Sequence, residues 1–415
     1  MPSQVLPTVI SIDVNQPPEV QPGVHNRWHP DIPAATVVQL DQEFKVECHD
    51  FAGGLIGNND VADDADEFDW NRDHCLSGPI RVDTAEPGDV LRVDILDIQP
   101  FPNRPWGFSF VKPVWDFHGA NTSSRHLQGV SFTGRPHCGT IGTAPSWDML
   151  QQWTERERAL NVTYSTHGVT CAHMPSAHGA YIGQKLPREL HTRIVREGAR
   201  TTPARENGGN IDYASLSHGS TIFLPVFVPG ANLSIGDLHF SQGDGEPTCA
   251  IEMAGIATLR CSVLRNGMQT LGIDGPMLMP GLAGARYQQQ LVFHGLSLDQ
   301  DGLVQRKNDS TAAYIQAARR AIAWLGRFGY SLEQAITILA IAPIEARILA
   351  TANIPTVNVS IGLPTGIFCS DITPAAPEPV FQNRGSAAYL SEARQQILSL
   401  GTENNGVPSV YDIGD

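Results

Sequence analysis

Lysine is scarce in this sequence. The chain of 415 residues has four lysines, Lys45, Lys112, Lys185 and Lys307, and its 43 acidic residues outnumber its 28 basic ones, which gives a formal net charge of −15. Nucleic acids and anionic membrane surfaces are bound through clusters of Lys and Arg that neutralise phosphate groups. The composition therefore argues against a protein that binds nucleic acid or a membrane surface.

Paired cysteines and long apolar runs are also missing. The seven cysteines are scattered, with no C-x-x-C pair, which favours reduced thiols in a cytoplasmic protein over a disulfide framework or a zinc knuckle. The N-terminus has no basic region followed by an apolar stretch, and no apolar run approaches the roughly 20 residues that span a bilayer. We therefore expect a cytoplasmic protein without membrane insertion.

Four standard catalytic motifs are absent. The sequence has no H-E-x-x-H, no P-loop, no G-x-S-x-G and no G-x-G-x-x-G that opens a helix. These motifs carry the chemistry of zincin proteases, NTPases, α/β-hydrolases and dinucleotide enzymes. Their absence argues against all four classes.

The first two thirds of the chain show strand patterns. "IRVD" and "VLRVDILDI" alternate apolar and polar positions around the turn "EPGD", which predicts a β-hairpin. "TIFLPVFV" and the strand that ends in "GDLHF" repeat this arrangement around a Pro-Gly turn. "CAIEMAGIATLRCSVL" is typical of a third long strand. The patterns predict a β-rich core over about residues 36–300.

Helical signals appear after this core. "DSTAAYIQAARRAIAWLGRFGY" has a capping start, Ala-rich apolar spacing and a glycine stop, and "SLEQAITILAIA" has Ser331 as its N-cap. We predict a helical part over about residues 309–350. The expected fold class is α+β, with sandwich-like or barrel-like sheets, a helical segment near the C-terminus and residues 1–415 in one unit. The acidic stretch "DVADDADEFDW" does not have the spacing of a calcium loop, so we expect a solvated loop there.

The segment "SIGDLHFSQGDGE" concentrates chemistry in residues 234–246. Asp237 and His239 lie two apart on a predicted strand, so both side chains should point to the same side of the sheet. Asp244 and Glu246 follow in a turn with two glycines. Upstream, "ENGGNID" adds Asp212 after another glycine pair.

Glu252 lies in the apolar run "CAIEMAGI", where a carboxylate is costly to bury unless it is paired or binds a metal. Carboxylate and imidazole ligands together suit a divalent metal ion, for which we expect zinc, with calcium as the alternative. Acid-glycine runs are also ordinary tight turns, and a D-x-H pair in a strand is also found as a structural hydrogen-bonded pair. The residues alone leave both interpretations open.

Two N-terminal segments add candidates. His49 and Asp50 end the strand-like "FKVECHD" before a Gly-Gly turn. His137 precedes the glycine loop "CGTIG", whose backbone N–H groups are suited to an oxyanion hole, although a loop histidine with one backbone hydrogen bond explains it equally well. Most of five other histidines in polar loop contexts are expected to be structural: His25, His29, His74, His118 and His126.

Several of these motifs together resemble the acetamidase/formamidase family. They are "ENGGNID", "PVFVPGANLSIGDLHFSQGDGE", "CAIEMAG", "EPGDVLRVDILDI" and "GTIGTAP", while "GVHNRWHPDIP", "ECHDFAGGLIGNND" and "LAIAPIEARI…IPTVNVSIGLPTGIF" resemble its longer formamidase branch. The resemblance runs from about Val24 to Phe368. His49 and His137 match the formamidase branch alone. Seven residues match acidic and histidine positions shared by the whole family: Asp50, Asp212, Asp237, His239, Asp244, Glu246 and Glu252.

This resemblance implies a β-rich cytoplasmic enzyme that forms homo-oligomers and hydrolyses formamide to formate and ammonia. It also implies a bound metal ion, because the bacterial acetamidases of the family look like metal-containing enzymes. On this basis we hypothesise that Asp212, Asp237 and His239, with Asp50, hold a divalent ion. Glu252 or Glu246 would transfer the proton between the attacking water and the departing ammonia, with Asp244 and His137 as further catalytic candidates.

Two alternatives remain open at the level of sequence. One is covalent amide hydrolysis by Cys171 in a Glu-Lys-Cys arrangement, for which the scarcity of lysine makes the third partner hard to supply. The other is a non-catalytic β-scaffold that binds a small ligand, in which the acids would be turn and core-pairing residues.

Overall fold

The computed structural model describes residues 5–59, 61–111, 122–123, 127, 129–163, 177–280, 289–299, 303–351, 354–373 and 384. The α-helices are α1 (Asp63–Glu67), α2 (Trp147–Thr163), α3 (Arg188–Glu197), α4 (Gly267–Leu271), α5 (Ser310–Gly326) and α6 (Leu332–Ile341), with single 3₁₀ turns at Pro18–Val20 and Thr365–Ile367. The strands are β1 (Thr8–Ile10), β2 (Val24–His25), β3 (Arg27–Trp28), β4 (Thr36–Val38), β5 (Glu43–Cys48), β6 (Leu76–Val82), β7 (Val90–Pro100), β8 (Phe110–Val111), β9 (Thr122–Ser123), β10 (His137–Gly142), β11 (Ala199–Arg200), β12 (Ala204–Arg205), β13 (Gly208–Asn210), β14 (Thr221–Pro225), β15 (Leu233–Ser241), β16 (Ile251–Met253), β17 (Gly255–Leu264), β18 (Met277–Met279), β19 (Gln290–Leu296), β20 (Glu345–Ala350) and β21 (Asn358–Pro364).

Two sheets contain most of these strands. The six-stranded sheet has the order β1-β5-β17-β7-β14-β18. The eight-stranded sheet has the order β12-β13-β10-β15-β6-β2, with β16 also paired to β15 and β4 to β6. β1 with β5 and β4 with β6 are parallel pairs, whereas β7 with β17 and β10 with β15 are antiparallel.

Both sheets contribute to one apolar core. Phe44, Val93 and Leu259 enter it from the six-stranded sheet, and Ile80 and Leu238 from the eight-stranded sheet. Alternating side chains of each strand face the opposite sheet, as in a β-sandwich. The prediction of a β-rich α+β fold is confirmed.

The chain changes sheets at the turns that the sequence marks. Asp89 N donates to Glu86 O at 3.0 Å in the predicted "EPGD" turn, yet β6 before it belongs to the eight-stranded sheet and β7 after it to the six-stranded sheet. β14 and β15 are divided in the same way, and so are β16 and β17, which only Ala254 separates. The predicted hairpins and the single third strand are therefore wrong. Strands in facing sheets bury the same apolar alternation as strands in a hairpin, so the pattern predicted the strands but not their partners.

A third sheet, β19-β21-β20, packs against α5 and α6 through a second apolar core. Asp309 caps α5 by accepting from Ala312 N, and Ser331 caps α6 in a capping box with Gln334. The predicted helical segment near the C-terminus is confirmed. The helices end at Ile341, and β20 lies inside the range of about 309–350 that the sequence predicts as helical. Neither β20 nor β21 was predicted.

The acidic stretch contains α1 and not only a loop, and Asp64 there accepts from Gly57 N at 2.7 Å. Helices α2 and α3 were not predicted from the sequence. Cys171 lies outside the described residues. Of the helices that the structure describes, none combines the length and the apolar character needed to cross a membrane.

Candidate active site and metal centre

Three neighbouring strands of the eight-stranded sheet carry the centre of the site. His137 on β10 is directly opposite His239 on β15, and His239 is directly opposite Glu252 on β16. The residues next to them in sequence point the other way, into the shared core: Cys138, Leu238 and Met253. The three polar side chains therefore form a row on the outer face of this sheet.

Asp237 joins this row through an unusual backbone conformation. Its φ is +53°, in the left-handed region that a residue other than glycine seldom adopts. The core-facing Ile235 and Leu238 are accordingly three residues apart instead of two. Asp237 and His239 nevertheless share the outer face, as the sequence predicted, with Oδ1 of Asp237 3.2 Å from Nε2 of His239.

Two groups of possible metal ligands share His239. Asp237, His239 and Glu252 form the first group, and each is at most 3% exposed. Asp212, His239 and Glu246 form the second, in which the two acids are partly exposed. The ligand atoms within each group lie within 4.8 Å of one another. The structure thus brings together five of the acids and histidines that the sequence singled out.

Gly139 on β10 leaves the space that these side chains occupy. A Cβ at this position would lie 2.4 Å from Oδ2 of Asp237, 2.7 Å from Cε1 of His239 and 2.8 Å from Oδ1 of Asp212. The predicted glycine loop after His137 is in fact this strand, paired on one side with β13 and on the other with β15. The expectation of a loop whose free N–H groups form an oxyanion hole is therefore wrong.

His74 and Thr140 extend the site, and the sequence analysis missed both roles. Thr140 Oγ1 lies 3.3 Å from Nδ1 of His74 and 3.3 Å from Oδ2 of Asp237, and it donates to Oδ1 of Asn210 at 2.8 Å. His74 lies just before β6, in a segment with no motif that would mark it, so only the packing of that segment on β10 reveals it.

The charges in the first group stabilise one another. Burial acts to raise the pKa of Asp237, but the positive charges of His74 and His239 outweigh burial and lower it. Burial acts to lower the pKa of His239, but the carboxylates of Glu252 and Asp237 raise it well above its ordinary value. Each partner therefore favours the charged form of the other, against the effect of burial.

The remaining carboxyl groups have raised pKa values. Burial raises the pKa of Glu252 to about 7, with a further increase from the charge of Asp237 that His239 opposes. Burial and the charge of Asp212 raise the pKa of Glu246 well above its ordinary value. Burial and the charge of Asp237 raise the pKa of Asp212 to about 6. Carboxyl groups with pKa values of about 6 and 7, as for Asp212 and Glu252, can hold or release a proton near neutral pH.

Two predicted site residues lie elsewhere. Asp50 accepts from Gly54 N at 3.0 Å and lies 3.7 Å from Nη2 of Arg104. Asp244 accepts from Ala346 N at 3.0 Å, which ties the turn after β15 to β20. Neither belongs to the two groups around His239, because each carboxylate is turned toward a different neighbouring segment.

The donor atoms fit a metal ion. Asp212 Oδ1, His239 Nε2 and Glu252 Oε2 are buried and make no hydrogen bond of acceptable geometry within the protein. A buried polar atom without a hydrogen bond is costly, and a cation held by Asp237, His239 and Glu252 would satisfy the His239 and Glu252 atoms. Imidazole nitrogen and carboxylate oxygen are also the ligands that zinc accepts besides cysteine. A buried His/Asp/Glu triad able to bind a metal is thus present.

A cavity of about 500 Å³ lies beside β16, lined by aromatic and apolar side chains that include Trp106, Phe108 and Phe110. The backbone of Phe108 exchanges two hydrogen bonds with that of Glu252, at 3.0 and 2.8 Å. None of the side chains around His239 lines this cavity. The His239 cluster and this cavity are therefore separate features of the structure.

The sequence of this chain matches a known protein family. The model of the Acetamidase/Formamidase family matches residues 11–370. The chain belongs to the acetamidase/formamidase family. It is similar to a formamidase of Methylophilus methylotrophus, with 41% identity over 393 residues that cover 90% of this chain and 96% of the relative. An acetamidase of Mycolicibacterium smegmatis is 46% identical over 352 residues, which cover 78% of this chain and 86% of that protein.

The chain is also similar to a protein whose structure has been solved. A gamma lactamase from Delftia acidovorans is 42% identical and superposes with a TM-score of 0.85, covering 92% of this chain and 98% of that one. As a member of the acetamidase/formamidase family, the protein is an amidohydrolase, which confirms the family resemblance seen in the sequence. The alternative of a non-catalytic scaffold is correspondingly disfavoured.

Proposed function

We propose that this enzyme is a formamidase that hydrolyses formamide to formate and ammonia at the cluster around His239. The observation that carries the proposal is the buried group of Asp237, His239 and Glu252, with the partly exposed Asp212 and Glu246 beside it. The similarity to the Methylophilus methylotrophus formamidase supports formamide as the substrate.

We assign different roles to the two groups. Asp237, His239 and Glu252 would hold a divalent cation, for which zinc is our first choice and calcium the second. This choice moves Glu252 from the acid/base role to the ligand set and leaves Asp50 and Asp212 out of that set. When bound, such a cation supplies Lewis-acid polarisation of the amide carbonyl and lowers the pKa of a coordinated water.

Glu246 is our candidate for the acid/base group. Its Oε1 accepts from Ala250 N at 2.8 Å and its Oε2 from Nε2 of Gln242 at 3.1 Å, so the carboxyl group is held in one orientation. It would take the proton of the attacking water and deliver it to the departing nitrogen, because an amide nitrogen leaves poorly unless it is protonated. Asp212, the other member of this group, would orient the water.

The proposal is tested by measuring ammonia release from formamide and from acetamide, before and after exhaustive chelation, with the metal content determined on the same samples. We expect activity to fall with the metal content, to return when the ion is added back, and to be higher with formamide. Full activity in metal-free protein would refute the metal site.

A five-membered cyclic amide is the second candidate substrate, because the relative with the solved structure is a gamma lactamase. Ring opening releases an amino acid and no ammonia, so chromatography of the product distinguishes the two activities. A lactam hydrolysed faster than formamide would reverse our order of substrates.

Covalent catalysis by Cys171 remains the rival mechanism. A Cys171→Ala variant should keep full activity, and an Asp237→Asn variant should lose it. The reverse pattern would replace the metal mechanism with the covalent one.

A further inference from the structure

Gln242 is a buried amide at the centre of the cluster. It is 2% exposed and follows the last residue of β15, three positions after His239. An amide side chain does not titrate, so it is unsuited to proton transfer, but it offers an oxygen acceptor and two N–H donors at once. Both the oxygen and the nitrogen of the Gln242 amide lie within hydrogen-bond distance of residues of the site.

The donor end fixes the orientation of the amide. Nε2 of Gln242 donates to the backbone oxygen of Asp212 at 3.0 Å and to Oε2 of Glu246 at 3.1 Å. A backbone carbonyl can only accept, so the NH₂ group must face Asp212. The amide oxygen therefore faces the opposite side.

The acceptor end meets two histidines. Oε1 of Gln242 lies 2.8 Å from Nε2 of His137 and 3.3 Å from Nδ1 of His239. The two rings are themselves packed edge to face, with centroids 4.9 Å apart. An oxygen acceptor at this point favours an N–H at Nδ1 of His239, which also lies 3.2 Å from Nε2 of His137. This arrangement leaves Nε2 of His239 directed at Asp237 and Glu252.

Gln242 is itself held in place by the turn that follows it. Gly243 N donates to Ala340 O at 2.6 Å, and a Cβ at Gly243 would lie 2.1 Å from Leu339 O. The turn therefore packs against the backbone of α6, where only glycine fits. This contact fixes the backbone next to Gln242 and so the position from which its side chain extends.

We propose that Gln242 is the positioning residue of this active site. Its single amide contacts all three members of the second group, Asp212, His239 and Glu246, and through His239 it sets the ring orientation that the first group requires. The inference rests on the proposed roles of these residues in amide hydrolysis, and it predicts that Gln242 acts on turnover without touching the substrate.

Two substitutions separate the two ends of the amide. Gln242→Met keeps the length of the side chain and removes both ends, whereas Gln242→Glu keeps oxygen toward the histidines and removes the donors. We expect the Met variant to lose about 10- to 100-fold in kcat, with KM within about threefold of the wild type. The Glu variant should recover part of that loss, and a Glu variant no better than the Met variant would refute the positioning of the histidines.

Gln334→Met is the matched control for a merely structural effect. Gln334 is also a buried glutamine, 1% exposed, and its amide serves the capping box of α6. The control should lower Tm and leave kcat unchanged. A change of less than about twofold in kcat for Gln242→Met would refute the positioning role. A fall in activity that is fully explained by a smaller fraction of folded protein would refute it as well.

Crystal structures of the wild type and of Gln242→Met give a readout independent of activity. We expect the His239 ring of the variant to rotate, so that Nε2 leaves its contacts with Asp237 and Glu252, and the metal content of the same crystals to fall. Unchanged rings would refute the inference. A wild-type protein that hydrolyses no amide would refute the proposed function alone, because the ring positions would still test Gln242.

Discussion

His239 and Glu252 are directly opposite each other on β15 and β16, and their Nε2 and Oε2 atoms lie 3.1 Å apart. Glu246 reaches the same histidine from the turn that follows β15. Two glutamates thus approach one imidazole from different elements, and the structure allows their roles to be separated by the same substitution at each position.

Glu252→Gln should lower the metal content of the purified protein together with its activity, because it removes a ligand of the buried group. Glu246→Gln should keep the metal and lose about 10²- to 10⁴-fold in kcat, the usual contribution of an acid/base group. Metal analysis and steady-state kinetics on both variants provide the measurement. Metal loss in Glu246→Gln with a full complement in Glu252→Gln would exchange the two assignments.

Gly139→Ala should disable the site while the sandwich still folds. The added Cβ would lie 2.4 to 2.8 Å from atoms of Asp237, His239 and Asp212, so these side chains must move. Displacements of about 1 Å can cost about 100-fold in rate, whereas overpacking costs about 1–3 kcal/mol of stability. Gly326→Ala, with no atom within 4 Å of the added Cβ, is the control and should be fully active. Normal kcat in Gly139→Ala would contradict the described packing.

Asp237→Asn and Asp237→Ala should both be inactive but differ in stability. Asn tolerates the left-handed conformation that Asp237 adopts, with φ of +53°, better than Ala does. We expect the free energy of unfolding of the Ala variant to be about 1 kcal/mol lower than that of the Asn variant. Denaturant titration of the metal-free proteins measures this difference. Equal stabilities would argue against backbone strain at this position.

His25 should make stability depend on acid pH. Burial lowers its pKa to about 4, against which its hydrogen bond to Arg27 O acts, while the unfolded chain has the ordinary value of 6.5. The unfolded state therefore binds more protons between these values, so this stabilisation is complete above pH 6.5 and is lost as the pH falls toward 4. The shift corresponds to about 3 kcal/mol.

The measurement for His25 is the free energy of unfolding across this range. His25→Gln should flatten its pH dependence, whereas His294→Gln on the exposed face of β19 should leave it as in the wild type. A His25→Gln variant with the wild-type slope would assign the acid sensitivity to other groups.

The sequence alone determined much of the local structure. Period-two alternation predicted β6, β7 and β15, and capping residues predicted the starts of α5 and α6, because these signals depend on a few neighbouring residues. The sequence also predicted that Asp237 and His239 lie side by side, because residues two apart on a strand share a face. The motifs that resemble the acetamidase/formamidase family indicated the amidohydrolase class.

Only the tertiary structure decided which strands are partners and which polar groups meet. Alternation marks the side of a strand that is buried but not the sheet to which the strand belongs. It therefore predicts a hairpin at the turn after β6, which in fact joins two sheets. His74 reaches Asp237 and Thr140 from a segment without a catalytic motif, while Asp50 and Asp244 lie in motifs but turn to other partners. Side-chain contacts between distant segments depend on packing, and one sequence without its fold does not contain those distances.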